Sequence, residues 1–190
     1  MSHRRKTDDQ ESSPKLTLPV SEGRDHIEGG SKAKVTLVEY GDYQCPYCGQ
    51  AYPIVKKVQE KYKNRLRFVF RNFPLTEIHP RAEFGAEMAE ASGAQGKFWD
   101  MHDYIYVNQA SLNNEDLFLG FAKSKLSLDE DKISREVDKH FYSPRIREDF
   151  LSGVRSGVNG TPTFFLNDRR HDGSYEFNSL TDAVDSLLRQ

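Results

Sequence analysis

Residues 35–63 read VTLVEYGDYQCPYCGQAYPIVKKVQEKYK, and their pattern decides the fold class. Val35 to Tyr40 is β-branched and apolar and is closed by Gly41, the mark of a buried strand. Beyond Cys45 the period changes. Tyr47, Ala51, Val55, Val58 and Tyr62 recur at steps of three and four, which is the apolar stripe of a helix. Leu66 to Arg71 (LRFVFR) is again strand-like, so the segment predicts a strand–helix–strand unit with parallel strands joined by a right-handed crossover. Pro53 falls inside the helix, where it removes one backbone hydrogen bond and has a structural reading.

Working outward, Ile78 to about Gly157 has helical periodicity. It runs through HPRAEFGAEMAEASGA, KFWDMHDYIYVNQ, NNEDLFLGFAKSKL and DEDKISREVDKHF, with Asn113 or Asn114 and Asp129 as N-caps. The charged run from Asp129 to Lys139 reads as a solvated helix face. Thr163 to Leu166 is a short strand, Asn167-Asp168 a turn, and Arg169 to Tyr175 a partner strand. Asn178 to Arg189 closes the chain as an amphipathic helix. The expected class is α/β with an all-helical insertion. Residues 1–22 are expected as a disordered tail, with the stretch beyond about residue 15 able to dock. Residues 23–75 and 156–190 would form the two halves of the α/β unit, and 76–155 the insertion.

Composition narrows the partners. A net charge of −2 and a pI near 6.3 give no electrostatic reason to expect nucleic acid or an anionic membrane. No stretch approaches the roughly 18 apolar residues of a membrane span. Arg4-Arg5 is followed by a polar run, Lys6 to Lys15, where an export signal needs an apolar one, so the cytoplasm is the expected compartment unless a leader has been removed.

The chain has 2 cysteines, Cys45 and Cys48, which excludes a framework of structural disulfides. Cys45 falls at the strand-to-helix junction, and Pro46 sits where a helix tolerates proline. A thiol there faces unpaired amides and the positive end of the helix dipole, so the Cys45 pKa is expected below the free value of about 8.5. Cys45 is then the attacking thiolate and Cys48, one turn on, resolves the mixed disulfide. Two readings compete: an inert pair, and a zinc site. The histidines at 3, 26, 79, 102, 140 and 171 contain no closely spaced pair to complete four zinc ligands, so no metal is expected.

CPYC between strand and helix, followed much later by Gly160-Thr161-Pro162-Thr163, resembles the thioredoxin superfamily, and the intervening helices resemble its DsbA-like branch. GKFWDMHDYIY and HPRAEFGAEMAEA are similar to that branch's insertion. The resemblance implies a thioredoxin fold, βαβ plus ββα, over roughly residues 30 to 190. It implies a thiol–disulfide oxidoreductase acting on cysteine-containing proteins and needing no bound cofactor. It also makes Pro162 a cis-proline beside the cysteines, with Thr161 offering backbone groups to substrate. A trans proline opening an edge strand is the competing reading. Glu39, six residues before Cys45, alternates with Val35 and Leu37; buried there it would have a raised pKa and could exchange a proton with Cys48. Solvated at a strand edge, or paired with lysine, it would do neither. Trp99, His102 and His79 either line a substrate groove or pack in the core.

Pro46-Tyr47 differs from the Pro-His pair of strongly oxidising relatives and is similar to that of glutaredoxins. A potential of about −200 to −230 mV is expected, hence a reductase or isomerase recharged by glutathione or a thioredoxin system. The alternatives are a glutathione-dependent transferase or isomerase, against which Cys48 counts, and a binding protein, either a holdase or an iron–sulfur dimer bridged by glutathione.

Overall fold

The computed structural model describes residues 13–190. A mixed five-stranded sheet is ordered β1-β3-β2-β4-β5. The strands are β1 (His26–Gly29), β2 (Val35–Gly41), β3 (Leu66–Asn72), β4 (Thr163–Leu166) and β5 (Arg169–Arg170). β2 runs parallel to β3, and the remaining neighbours are antiparallel. The helices are α1 (Pro46–Tyr62), α2 (Ala82–Gly93), α3 (Phe98–Val107), α4 (Glu115–Ser124), α5 (Glu130–Asp138), α6 (Ser143–Arg155) and α7 (Phe177–Leu188). This is a thioredoxin fold with a helical insertion between β3 and β4.

Alternation along β2 sorts the core into two faces. Val35 and Leu37 join Val55, Val58, Phe70 and Ile105 in the larger cluster, which α1, α3 and α7 cover. Val38 and Tyr40 point the other way and pack with Val69, Phe73 and Phe165, with Phe150 of α6 against them. Gly153 of α6 is required there, because a Cβ would lie 2.7 Å from the Phe73 ring. As expected from the sequence, Asn114 and Asp129 cap their helices, accepting from the N–H groups of Leu117 and Lys132.

Four expectations are corrected. Residues 1–12 lie outside the described residues, but 13–22 are not a free tail. Leu16 N–H donates to the Asp168 carbonyl (2.8 Å), Arg170 N–H to that of Pro14 (2.9 Å), and the fully buried Arg71 binds the Leu18 carbonyl (2.9 Å) and Asp25 (2.9 Å). A buried guanidinium needs acceptors, and this arm supplies them. Second, His26–Gly29 is an edge strand; four residues are too few to show a period. Third, the insertion has a further helix, α6, whose turns are hidden by charge: its SPRIREDFLSGVR sequence buries Ile146, Asp149, Ser152 and Gly153. Fourth, the partner strand expected over 169–175 is only Arg169–Arg170, with one further bond to β4 from His171 N–H to Phe164 O (2.9 Å).

Candidate active site

Cys45 is the N-cap of α1, with extended backbone and Pro46 in the first turn behind it. The loop that delivers it is tied by Asp42, which is buried. Asp42 Oδ1 accepts from the N–H groups of Gln44 (2.7 Å) and Cys45 (3.1 Å), and Oδ2 from Leu75 N–H (2.8 Å). His79 Nδ1 lies 2.8 Å from the same Oδ2. Gln109, from the turn after α3, donates to the carbonyls of both Tyr43 and Cys45 at 2.9 Å. Neither Asp42 nor Gln109 was anticipated from the sequence. The Asx-turn pattern at Asp42, an aspartate bonding the amides two and three residues on, could have revealed it. Gln109 has no such signal.

Both cysteines are thiols and both are buried, at 3% exposure for Cys45 and 0% for Cys48. The Cys45 thiol is pulled down to about 5, first because the Cys48 thiol donates to its sulfur. Burial opposes this, and the Thr161 side chain and the N–H groups of Cys48 and Tyr47 add to the lowering. The helix-start amides expected to dominate are therefore the smaller contributors. The Thr161 carbonyl lies 3.3 Å from Cys45 Sγ and can accept only from the thiol form. Cys48 is pushed well up, by burial, by its bond to Cys45 and by the charges of Glu39 and Cys45; the Asp42 N–H, 3.5 Å from its sulfur, works against them. One thiol lowered and one raised are thus set a turn apart by position. Alkylation of Cys45 is expected to be half-maximal at about pH 5; a midpoint near that of an ordinary thiol in a pH series would contradict this.

Glu39 is buried, at 3% exposure, on the central strand, its register partners being Phe70 on one side and Phe164 on the other. Two phenyl neighbours offer a carboxylate no compensation, so burial, followed by the Cys45 charge, raises its pKa to about 8. Among the described residues no ion pair reaches it. The Thr161–Pro162 peptide is cis, at the entry to β4. Tyr47 is 60% exposed and does not belong to the buried stripe of α1, where Cys48 stands in its place. His102 is a core residue, Nδ1 2.9 Å from the Tyr43 hydroxyl, and Trp99 donates to Ile27 O at 3.3 Å.

The family model described as Thioredoxin matches residues 21–186, which includes the whole of this site. The chain belongs to the thioredoxin family. Solved structures of similar fold include oxidised BdbD from Bacillus subtilis, with a TM-score of 0.80 and 22% identity, covering 94% of this chain and 97% of that one. A thioredoxin-like oxidoreductase from Silicibacter pomeroyi DSS-3 matches at a TM-score of 0.71 and 28% identity, covering 88% and 94%. The thioredoxin-family chain also matches a protein of Salinispora arenicola named Na(+)/H(+) antiporter NhaA 1, with 47% identity over 91% of this chain. The chain spans 26% of that relative's length, and among the described residues no helix is long and apolar enough to cross a membrane.

Proposed function

We propose that this thioredoxin-family chain is a thiol–disulfide oxidoreductase that exchanges disulfides with cysteine-containing proteins through Cys45 and Cys48. The observation that carries the reading is the asymmetry of the pair: a Cys45 thiol lowered to about 5, with a Cys48 thiol behind it held well above the ordinary range. A substrate disulfide is attacked by the Cys45 thiolate, which forms a mixed disulfide and releases one substrate thiolate. Cys48 then gives its proton to the ionised form of Glu39, the minor form at neutral pH because that carboxyl titrates at about 8, and attacks the Cys45 sulfur. The second substrate thiolate leaves, the substrate has gained two electrons, and the chain holds a Cys45–Cys48 disulfide. We assign substrate backbone contacts to Thr161, whose carbonyl lies 3.3 Å from Cys45 Sγ, and to Pro162 after it, and a further substrate contact to the exposed Tyr47.

The direction we propose is reduction or isomerisation, with glutathione or a thioredoxin system as the reductant, because Pro46-Tyr47 brings no cation to the Cys45 thiolate. The depressed Cys45 pKa works against that direction, since it favours the dithiol and makes the couple more oxidising, by roughly 30 mV per pKa unit. In a Cys48→Ala variant the first step survives and the second is lost. A mixed disulfide between Cys45 and a disulfide-bonded peptide is expected to accumulate, detectable by mass; the absence of any adduct would remove the exchange reading.

A further inference from the structure

Tyr106 of α3 carries a hydroxyl that the resting site does not use. Its ring is fixed: it stacks on Tyr52 of α1 with centroids 5.3 Å apart and planes 20° apart, and leans on Tyr43 at 5.1 Å. Its Oη is buried and has no hydrogen-bond partner among the described residues. Two observations bring that oxygen and the sulfur of the resolving cysteine to the same end of β2. A Cβ on Gly41, at the end of β2, would lie 3.1 Å from Tyr106 Oη. The N–H of the next residue, Asp42, points at Cys48 Sγ from 3.5 Å. Tyr52, the stacking partner, stands one turn after Cys48 on α1. Hydroxyl and sulfur therefore sit over adjacent residues of one strand end, and a side chain at position 41 would displace the oxygen.

A buried hydroxyl without an acceptor is costly, and native proteins keep few of them. The cost is repaid where an acceptor appears only during the reaction. We propose that Tyr106 is a catalytic donor whose hydroxyl hydrogen-bonds Cys48 when that sulfur becomes a thiolate in the resolving step. The inference rests on the exchange function proposed above and adds a residue from the helical insertion to it. In the step itself the proton passes from Cys48 to the ionised form of Glu39, the Cys48 sulfur forms a bond to Cys45, and the Cys45–substrate sulfur bond breaks. Tyr106 keeps its own proton throughout. Burial, then the charges of Cys48, Glu39, Tyr43 and Asp42, hold its phenol well above the ordinary range, so it remains a donor. These are the titratable groups that face it: Cys48 from α1, Glu39 from β2, and Asp42 and Tyr43 from the loop between them. His102, one turn earlier on α3, is bonded to Tyr43 and kept neutral by burial.

Tyr106→Phe keeps the ring stack and removes only the oxygen. Capture of a fluorescent peptide disulfide by Cys45 and its release by Cys48 can be followed as separate phases in stopped flow, with the melting temperature measured in parallel. Release is expected to slow by about tenfold to a hundredfold, the worth of one hydrogen bond to a charged group, while capture changes by less than about twofold. The melting temperature is expected not to fall, because no resting bond is lost. Release that is unchanged or faster, an equal slowing of both phases, or a lowered melting temperature would each overturn the assignment. A wild-type chain that captures no disulfide would instead sink the exchange function itself.

Discussion

Cys45→Ser is expected to reduce disulfide exchange to the background of the uncatalysed reaction, a loss of at least about a thousandfold. A serine hydroxyl at the start of α1 would meet the same N–H groups of Tyr47 and Cys48, but it does not ionise near neutral pH and cannot form the mixed disulfide. Cys48 cannot substitute. It is fully buried, and burial together with the Glu39 charge keeps its thiol protonated far into the alkaline range. Reduction of insulin followed by turbidity measures the effect, and residual turnover near that of the wild-type protein would reassign the nucleophile. The fold tolerates the exchange of one small buried atom for another, so circular dichroism and the melting temperature should change little.

Glu39→Gln is expected to make the reduced protein more stable at neutral pH and, at the same time, slower to resolve. Glu39 is an acid held at about 8 when folded, against an ordinary value of 4.5. Between those two values the folded chain retains a proton that the unfolded chain has released. Unfolding is then favoured as pH rises: the penalty is absent below 4.5, grows across the window, and is full above about 8. At about 1.4 kcal/mol per unit, the carboxyl destabilises the fold by roughly 3 kcal/mol at pH 7. Glutamine titrates nowhere in this range. Urea unfolding of both proteins at pH 5 and pH 7 should therefore show a gap that opens on going to the higher pH. Cys45, lowered to about 5, contributes in the opposite sense, with stability gained as pH rises, but that contribution is present in both proteins. Resolution should slow by about a hundredfold, as for the loss of a positioned proton acceptor. An equal gap at both pH values, with unchanged release of substrate, would show that Glu39 is solvated or paired in solution.

The Glu39 case also separates what is local from what is not. That a carboxylate alternates with Val35 and Leu37 is visible in the sequence, but its environment is made by Phe70 of β3 and Phe164 of β4, which no local pattern brings to its sides. The same holds for Tyr47. Helical spacing places it on the apolar stripe with Ala51 and Val55, yet Tyr47 is exposed, and within α1 the buried stripe begins at Cys48.

What the sequence determined by itself were the features with short periods. These are the apolar β2 strand, the three-and-four stripe of α1 from Ala51 onward, the cysteine and proline at its first turn, and the caps at Asn114 and Asp129. Each depends on residues within a turn or a pleat of one another, where backbone geometry is fixed by neighbours. Only the tertiary structure sets how far apart the two thiols stand in acidity. Cys45 is touched by Thr161, 116 positions away, and Gln109, 64 positions away, grips its carbonyl. Burial of Cys48 depends on the whole helical face closing over it. Acidity in a protein interior follows from which groups are desolvated together, and that is set by chain segments meeting in space, not by their order along the sequence.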